Sequence, residues 1–484
     1  GGPAIGSFLN KVLFALKFQS FNILFSDRVT SESQILYTRD PRERVAEVAP
    51  FLSLDGRTYP AVVDADDDPA TPKEVVWVVD AYTTSNNYPY SARESLEDAT
   101  LTSLTQAQML TPVTQVNYIR NAVKATVNAY DGSVTLYEWD GEDPVLRAWK
   151  GVFPGIVTPT SEISADLMSH LRYPEDLFKV QRELLTRYHV DDAASFYQGN
   201  DFWLNPSDPI SGEAVPQPPY YMTLKMPGAE KATFSLTSSF IPGGQSSRQI
   251  LTGFFAVDAD PGNQAGVIDE GYGTMRLLEL PRDLTVPGPG QVQNLFNANP
   301  TVSQQLNLLE QNASQVLRGN LLTLPVGGGL LYVQPVYTQS SRGTQVPLLH
   351  RVLVSFGDEI GFAPTLSEAL DQVFEGDSGA QTADGGAADP TDDGDDVVRT
   401  AEEKLRDALD AAAEAMRDAD TALAEGNWTA YGLAQDRLDQ ALADAIDAEA
   451  EISGQLPVDA EPMPEPDPAD PDPAGGEPAD PTEG

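Results

Sequence analysis

Four acidic residues in one loop form the clearest candidate metal site in this sequence. The string DADPGNQAGVIDEG carries Asp258, Asp260, Asp269 and Glu270. Carboxylate oxygens are the ligands that calcium prefers, so these residues are the candidate calcium ligands. The alternative is an ordinary solvated acidic loop, and no motif in the chain indicates any other cofactor.

A second acidic loop, DADDDPATPKE from Asp64 to Glu74, imitates the start of an EF-hand with Asp64, Asp66 and Asp68. An EF-hand loop needs glycine at its sixth position and a bidentate glutamate at its twelfth. Here those positions hold Pro69 and Val75. We therefore interpret the segment as a solvated hairpin loop between two strands.

Aromatic side chains mix with amides and hydroxyls in YTTSNNYPYS and DAASFYQGNDFW. Such mixtures suit sugar or peptide surfaces, because a rigid ring gives contact area with little entropy to lose. The alternative is that the rings anchor irregular loops to the core. The candidate ligand or partner surface consists of Tyr82, Tyr88, Tyr90, Tyr197, Phe202 and Trp203.

Motifs for nucleophilic catalysis are missing from the sequence. There is no cysteine, which excludes thiolate catalysis, disulfides and cysteine-ligated metals. The three histidines show no metal-ligand spacing, and neither G-x-S-x-G nor S-x-x-K occurs. The enzyme alternative is a hydrolase acting on glycan or lipid with a carboxylate pair, for which the first candidates are Glu175, Asp176, Asp258 and Asp260. The sequence favours a non-catalytic domain.

Three consecutive glycines, Gly327 to Gly329, lie in LLTLPVGGGLLYVQPVY. A phosphate-binding loop would place such glycines before a helix. The residues that follow alternate like a strand and include Pro335. The spacing predicts a tight hairpin turn, where glycine accepts positive φ at little cost.

The elements that must position these residues indicate an α+β fold with a large, mostly antiparallel sheet. Strand patterns dominate from Pro218 to Phe362, interrupted by a predicted helix over Thr301–Gly319. Apolar residues recurring at three and four positions predict a further helix over Pro112–Gly132. Pro287–Gly290 predicts a rigid surface loop.

Composition divides the chain into six parts. We predict an amphipathic segment at 1–27, an α+β part at 28–217 that is helix-rich in its second half, a β-rich part with helices at 218–375, an acidic linker at 376–397, a helical hairpin at 398–453 and a disordered Pro/Asp/Glu tail at 454–484. The formal charge is −43. Residues 377–484 hold 30 acidic and 5 basic groups, so 5 − 30 = −25 of it lies there. Such a chain repels nucleic acid, which we exclude as a partner.

The segment Phe8–Phe25 has apolar residues at helical spacing, namely Leu9, Val12, Leu13 and Leu16. Its lysines and amides make it too polar to span a bilayer. The helix either packs on its own domain or lies on a membrane surface.

Long strings from Pro3 to Phe374 resemble a family of large bacterial integral-membrane proteins known as an uncharacterised protein family. The strings that carry the resemblance are ILYTRDPRERVAEVAPFLSLDG, VNYIRNAVKATVNAYDGSVTLY, HLRYPEDLFKVQRELLTRYHV, PPYYMTLKMPG, LELPRDLTVPGPGQVQN, LLTLPVGGGLLYVQPVY and LSEALDQVF. The resemblance implies about seven membrane helices ahead of Gly1. It places this chain, as the C-terminal half, on the extracytoplasmic side of the cell membrane, with 1–27 beside the membrane.

The resemblance and the missing catalytic motifs lead to an expected binding or assembly function in the cell envelope. Expected partners are the membrane, through the other half of the protein, and envelope proteins, lipid or glycan; a homo-oligomer stays open. The alternatives are the extracytoplasmic domain of a transporter for lipid or glycan and the carboxylate-pair hydrolase. The resemblance transfers no site residues.

Overall fold

The structure is a computed structural model. It describes residues 2–26, 28–65, 67, 71–105, 108–112, 114–212, 214–243, 249–281, 283, 285–311, 314–340, 346–374, 376, 378–379, 415 and 437–438. The chain divides into two compact units, Gly1–Ala388 and Asp389–Gly484. The predicted tail, most of the predicted linker, and the predicted helical hairpin apart from residues 415 and 437–438 fall outside the described residues and stay predictions.

The first unit begins with helices and an antiparallel sheet. The helices are α1 (Phe8–Lys17), α2 (Asn22–Phe25) and α3 (Pro41–Val48). The strands that follow, with one short helix, are β1 (Ser53–Leu54), β2 (Tyr59–Val63), β3 (Glu74–Ser85), β4 (Glu94–Ser95), α4 (Leu96–Thr100), β5 (Gln115–Val116), β6 (Tyr118–Asn128) and β7 (Val134–Glu138). The first sheet runs β1-β3-β6-β7 with β2 also on β3, while β4 and β5 pair separately. The central strand β3 is buried along most of its length because elements cover both faces.

A helical stretch connects this sheet to the next one. It contains α5 (Pro144–Val152), α6 (Ala165–His170), α7 (Glu175–Tyr188) and α8 (Ala193–Gln198). Ser164 has the residue type of a helix cap directly before ADLMSH, and it caps α6 because its hydroxyl accepts from the Leu167 amide at 3.1 Å. The ring of Phe178 on α7 stacks on Phe255 of the second sheet, with centroids 4.8 Å apart. Helix α7 therefore contributes to the hydrophobic cores beside both the first and the second sheet.

Two further antiparallel sheets follow. Their elements are β8 (Trp203–Leu204), β9 (Tyr220–Leu224), β10 (Thr233–Pro242), β11 (Gly253–Asp258), β12 (Met275–Glu279), α9 (Pro289–Ala298), α10 (Pro300–Gln311), β13 (Ser314–Arg318), β14 (Leu322–Val326), β15 (Gly329–Ser340), β16 (Leu348–Phe356), β17 (Glu359–Ala363) and α11 (Leu366–Val373). The second sheet runs β12-β11-β10-β8 with β9 also on β10. The third runs β13-β15-β16-β17 with β14 also on β15. The α+β fold class is confirmed.

Three predicted elements are wrong. The segment predicted as a helix over Pro112–Gly132 forms β6. The apolar side chains of this strand are buried on both faces, so their spacing at three and four residues did not indicate a helix. The helix predicted over Thr301–Gly319 ends at Gln311, and β13 follows it and pairs with β15. The predicted loop Pro287–Gly290 starts α9 instead, with Pro289 buried in the first turn.

The glycine triplet makes the predicted hairpin turn. Val326 pairs with Gly329 across the turn, while Gly327 and Gly328 adopt φ of 59° and 80°. Two positive φ values in a two-residue loop match the turn that joins twisted strands.

Replacing Gly328 with alanine should lower the free energy of unfolding by about 1–2 kcal/mol, because an L side chain is strained at positive φ. The matched control is Gly151→Ala in the exposed part of α5, where an added Cβ meets open space. That change should stabilise the protein by about 0.5–1 kcal/mol. Urea denaturation measures both values, and equal effects of the two substitutions would contradict the turn geometry.

Candidate functional site

A first cavity of about 590 Å³ lies beside the end of α7. Trp203 stacks on His189 in its wall, with ring centroids 3.5 Å apart, and Phe202 lies edge-on to Phe196. The carboxylates of Asp191, Asp192, Asp201 and Glu279 also line it. We call this the acidic aromatic cavity.

Local structure fixes the wall of this cavity. The His189 ring nitrogens lie 2.6 Å from the Leu185 carbonyl and 2.9 Å from the Asp201 carbonyl, which holds the end of α7 to the next loop. Asp192 caps α8 by accepting from the Ser195 amide at 2.7 Å. This contact keeps the pKa of Asp192 below its usual value.

A second cavity of about 730 Å³ lies between the second and third sheets. Its walls are β9, β12 and the β14–β15 hairpin, including the Gly327–Gly329 turn. Most of its lining is apolar, contributed by Leu224, Met226, Leu278, Leu280, Val286, Leu324, Val326 and Leu330. We call this the apolar cavity.

The two cavities are neighbours, since three residues, Glu279–Pro281, line both. We call the two cavities together the groove. Ligand sites in proteins are commonly concave, mostly apolar spaces with a few placed polar groups. The groove has this character: the carboxylates other than Glu279 line only the acidic aromatic cavity, and the apolar cavity has Thr223, Lys225 and Glu279 at its exposed rim.

The predicted aromatic surface does not form one patch. Phe202 and Trp203 both line the acidic aromatic cavity, although Trp203 is only 7% exposed. Tyr82 is fully buried, so its prediction as a surface residue is wrong. Its strand β3 is covered on both faces, and its hydroxyl donates to Asp55 at 2.5 Å.

The other three predicted aromatic residues are exposed and line neither cavity. Tyr88 stacks on Tyr118 with centroids 6.0 Å apart. Tyr90 is fully exposed with a φ of 57°, and Tyr197 projects from α8. These rings present separate exposed aromatic positions.

The predicted calcium ligands are engaged in local structure. Asp258 pairs with Arg276 at 2.5 Å and accepts from the Thr233 hydroxyl at 2.9 Å. Asp260 accepts from the Gly262 amide at 2.9 Å. Within the described residues, no three His, Asp or Glu side chains could together hold a metal ion. The structure therefore gives the predicted site at Asp258, Asp260, Asp269 and Glu270 no support.

A buried ionic cluster joins the first sheet to α7. We define it as Asp55, Asp80, Lys124, Glu175, Asp176 and Lys179, all of which are at most 6% exposed. Lys124 pairs with Asp80, while Lys179 bridges Glu175 at 2.8 Å and Asp176 at 3.2 Å. The Gly56 amide donates to Asp176 at 2.7 Å. Glu175 and Asp176, two of the hydrolase candidates, are thus paired and line neither cavity of the groove.

Burial and neighbouring charges together shift the pKa values of this cluster, and the direction differs from one residue to the next. Burial, with added repulsion from Asp176 and Asp80, raises the pKa of Asp55 well above its usual value. Burial also lowers the pKa of Lys124. For Glu175 burial is opposed by the Lys179 and Arg57 cations, which outweigh it and hold the pKa below its usual value.

These shifts predict opposite pH dependences for two variants. The raised pKa of Asp55 means that its contribution to stability is present at low pH and is lost as pH rises through that pKa. The lowered pKa of Glu175 gives a contribution present above about pH 4.5 and lost as pH falls below it. As pH rises, the wild type should lose stability relative to Asp55→Asn. Over the same range, the wild type should gain stability relative to Glu175→Gln. Urea denaturation from about pH 3 to about pH 8 measures both, and slopes of the same sign would contradict the assignment.

The N-terminal helices present an apolar surface to solvent. Six side chains are 55–76% exposed, namely Phe8, Leu9, Leu13, Leu16, Phe21 and Phe25. The opposite side of α1 packs through Phe14 on Tyr37, with centroids 5.9 Å apart. Of the predicted apolar face, Leu9, Leu13 and Leu16 therefore do not pack on their own domain, while Val12 is partly buried. None of the helices in the described part of the chain combines the length and apolar character needed to span a bilayer.

Comparison with known proteins assigns the chain to a family. The model of an uncharacterised protein family, UPF0182, matches residues 1–309. The chain belongs to the UPF0182 family. A UPF0182 protein of Paenarthrobacter aurescens is 55% identical over 93% of this chain and 46% of its own length. One of Bifidobacterium longum is 54% identical over 92% of this chain and 43% of its own length.

The chain spans about half the length of the curated UPF0182 relatives it matches. No solved structure matches it. The matched region of the UPF0182 family includes the acidic aromatic cavity and the β9 and β12 walls of the apolar cavity. The β14–β15 hairpin, which closes the apolar cavity, lies beyond residue 309.

Sequence reasoning missed most of the groove in this UPF0182 protein. Asp191 directly precedes the predicted aromatic string DAASFYQGNDFW and Asp201 lies within it, and that proximity was the available signal. The apolar cavity left no local signal, because its walls come from three distant stretches, 223–228, 278–286 and 324–330. The ionic cluster was missed for the same reason.

Proposed function

We propose that this chain is the extracytoplasmic half of a bacterial multi-pass membrane protein and that it binds envelope components while lying on the surface of the cell membrane. The apolar surface of Phe8–Phe25 carries the proposal. Six large side chains exposed on adjacent helices exceed the scattered single hydrophobic residues of an ordinary surface.

The charge of this surface supports a membrane as its partner. Residues 1–26 contain Lys11 and Lys17 and no Asp or Glu, although the chain has a net charge of −43. An apolar helix face with flanking cations is the pattern of helices that lie at a bilayer interface. We place the membrane-spanning helices in the half of the relatives that this chain does not cover.

Vesicle flotation tests the membrane contact. We expect the chain to float with uncharged phosphatidylcholine vesicles, and the triple variant Leu9→Ser, Leu13→Ser, Leu16→Ser to partition at least about tenfold less, because each buried leucine contributes about 1.5–3 kcal/mol. The matched control replaces three exposed apolar residues elsewhere with serine, namely Leu308, Val346 and Leu348. Equal flotation of both triple variants, or none by the wild type, would refute the membrane contact.

The location can be tested with thiol labelling, because this chain has no cysteine of its own and the unsubstituted full-length protein serves as the control for any cysteine in the other half. Asp358 lies exposed in the turn between β16 and β17. A full-length protein carrying Asp358→Cys should react with a membrane-impermeant maleimide in intact cells. Labelling only after lysis would place this half in the cytoplasm.

A transporter for lipid or glycan is the second candidate, and the groove favours it because such a protein needs a place to receive its cargo. The hydrolase has less support. Glu175 and Asp176 are buried in ion pairs, and Asp258 is bound to Arg276.

A further inference from the structure

We infer that the groove binds one glycosylated lipid, with its hydrocarbon chain in the apolar cavity and an uncharged saccharide in the acidic aromatic cavity. The inference deepens the proposed binding function and rests on it. It depends on contacts that are separate from the Phe8–Phe25 surface.

The apolar cavity suits a hydrocarbon chain better than a peptide strand. Its volume of about 730 Å³ falls in the range of small-molecule sites. Three prolines, Pro227, Pro281 and Pro325, contribute to its lining and have no amide hydrogen to donate. A peptide strand needs such donors along an edge, whereas a hydrocarbon chain needs only apolar contact.

The acidic aromatic cavity suits sugar hydroxyls. Carboxylates of Asp191, Asp201 and Glu279 can accept hydrogen bonds from hydroxyl groups. The Phe202 ring offers an apolar face to the C–H side of a sugar. The Thr252 hydroxyl, which also lines the cavity, is buried without a hydrogen-bond partner among the described residues.

Charge selects against an anionic headgroup. Four carboxylates and no lysine or arginine occur among the described lining residues of the acidic aromatic cavity. A phosphate or sulfate placed there would be repelled. An uncharged saccharide avoids this repulsion and uses the same carboxylates as acceptors.

The shared stretch Glu279–Pro281 brings the two cavities within reach of one molecule. Glu279 is exposed, and it lines both cavities together with Leu280 and Pro281. A ligand crossing this junction must change from hydrocarbon to hydroxyl groups over a few atoms. A lipid with a saccharide attached directly to its chain has that arrangement.

The test is calorimetric titration of the whole chain with n-dodecyl maltoside below its micelle concentration, compared with maltose and with dodecyl sulfate. We expect dodecyl maltoside to bind at least about tenfold more tightly than either, since maltose lacks the chain and the sulfate meets the carboxylates. If maltose bound as tightly as dodecyl maltoside, the apolar cavity would have no part in binding. Equal binding of dodecyl sulfate would remove the saccharide preference.

Two variants assign the binding to the groove. Thr223→Trp fills the apolar cavity from the exposed side of β9 and should weaken dodecyl maltoside binding at least about tenfold, with Thr223→Ser as its control. Asp191→Ala removes an exposed carboxylate and should weaken binding about 3–10-fold. Its control is Asp358→Ala, an exposed aspartate that lines neither cavity. Unchanged binding by both test variants would overturn the inference.

The variant Leu9→Ser, Leu13→Ser, Leu16→Ser separates this inference from the membrane proposal. It should bind dodecyl maltoside like the wild type, because none of its changed residues lines the groove. Flotation without glycoside binding would reject the groove ligand alone. Glycoside binding without flotation would reject the membrane contact alone.

Discussion

Replacing Lys124 with methionine should lower the free energy of unfolding by about 3–5 kcal/mol, the largest effect expected from a single substitution in the ionic cluster. Lys124 is fully buried, pairs with Asp80 and donates to the Arg172 carbonyl at 2.7 Å. Methionine fills similar space without the charge. Asp80 would then remain as a buried carboxylate without its cation, and urea denaturation measures the loss.

The source of this loss can be isolated with a second substitution. Adding Asp80→Asn to Lys124→Met removes the unpaired charge, so the double variant should recover much of the stability. The control pair is Lys150 with Glu138, 2.6 Å apart and partly exposed. Lys150→Met should cost less than about 1 kcal/mol. A double variant as unstable as the sum of the two single variants would show that packing, not charge, dominates at this position.

Replacing Phe178 with alanine should cost about 3–5 kcal/mol, the usual range for a buried aromatic side chain. Phe178 is fully buried, and its ring stacks on Phe255. Its helix α7 also reaches the first sheet, where Asp176 accepts from the Gly56 amide. We therefore expect the loss to affect both sheets in one transition.

Hydrogen exchange measured by mass spectrometry distinguishes this expectation from local loosening. Peptides from β3–β6 and from β10–β11 should lose protection together in Phe178→Ala. The control is Leu184→Ala, a partly exposed position on the same helix, which should have a small effect. Lost protection in β10–β11 with β3–β6 unchanged would show that the two sheets open independently.

The packing of α7 also bears on how the chain can be divided. The predicted parts 28–217 and 218–375 both lie within the compact unit Gly1–Ala388. Arg172 lies between the rings of Tyr59 and Tyr221, 3.8 Å and 4.6 Å from their centroids, and so adds a second contact across residue 217. A fragment ending at residue 217 would expose the apolar face of α7.

The ionic cluster also links α7 to the first sheet. Charges buried at this depth are costly unless they are paired. The ion pairs lie within the first sheet and within α7, and the Asp176 carboxylate connects the two by accepting from the Gly56 amide, beside β1, at 2.7 Å. The first sheet supplies Asp80 and Lys124, and α7 supplies Glu175, Asp176 and Lys179. The cluster therefore constrains how α7 lies on the first sheet, and the groove is built at the opposite end of that helix, where His189 contacts Trp203.

The sequence by itself determined features that depend on neighbouring residues. The α+β class, most strands after Pro218, the Ser164 cap and the Gly327–Gly329 turn follow from local spacing and from φ preferences, which act within a few positions. The sequence also contained the strings that identify the UPF0182 family. The aromatic residues Phe202 and Trp203 were found because they lie together in one short string.

Only the tertiary structure decided which residues meet across long separations. The segment Pro112–Gly132 forms β6 in spite of its helical spacing. It is buried on both faces, and a fully covered strand needs no polar face. The same packing enclosed Tyr82, brought Lys124 to Asp80, and placed the Gly327–Gly329 turn opposite β9 and β12 to form the apolar cavity. Such contacts depend on how sheets pack on one another, and no local pattern of residues encodes that packing.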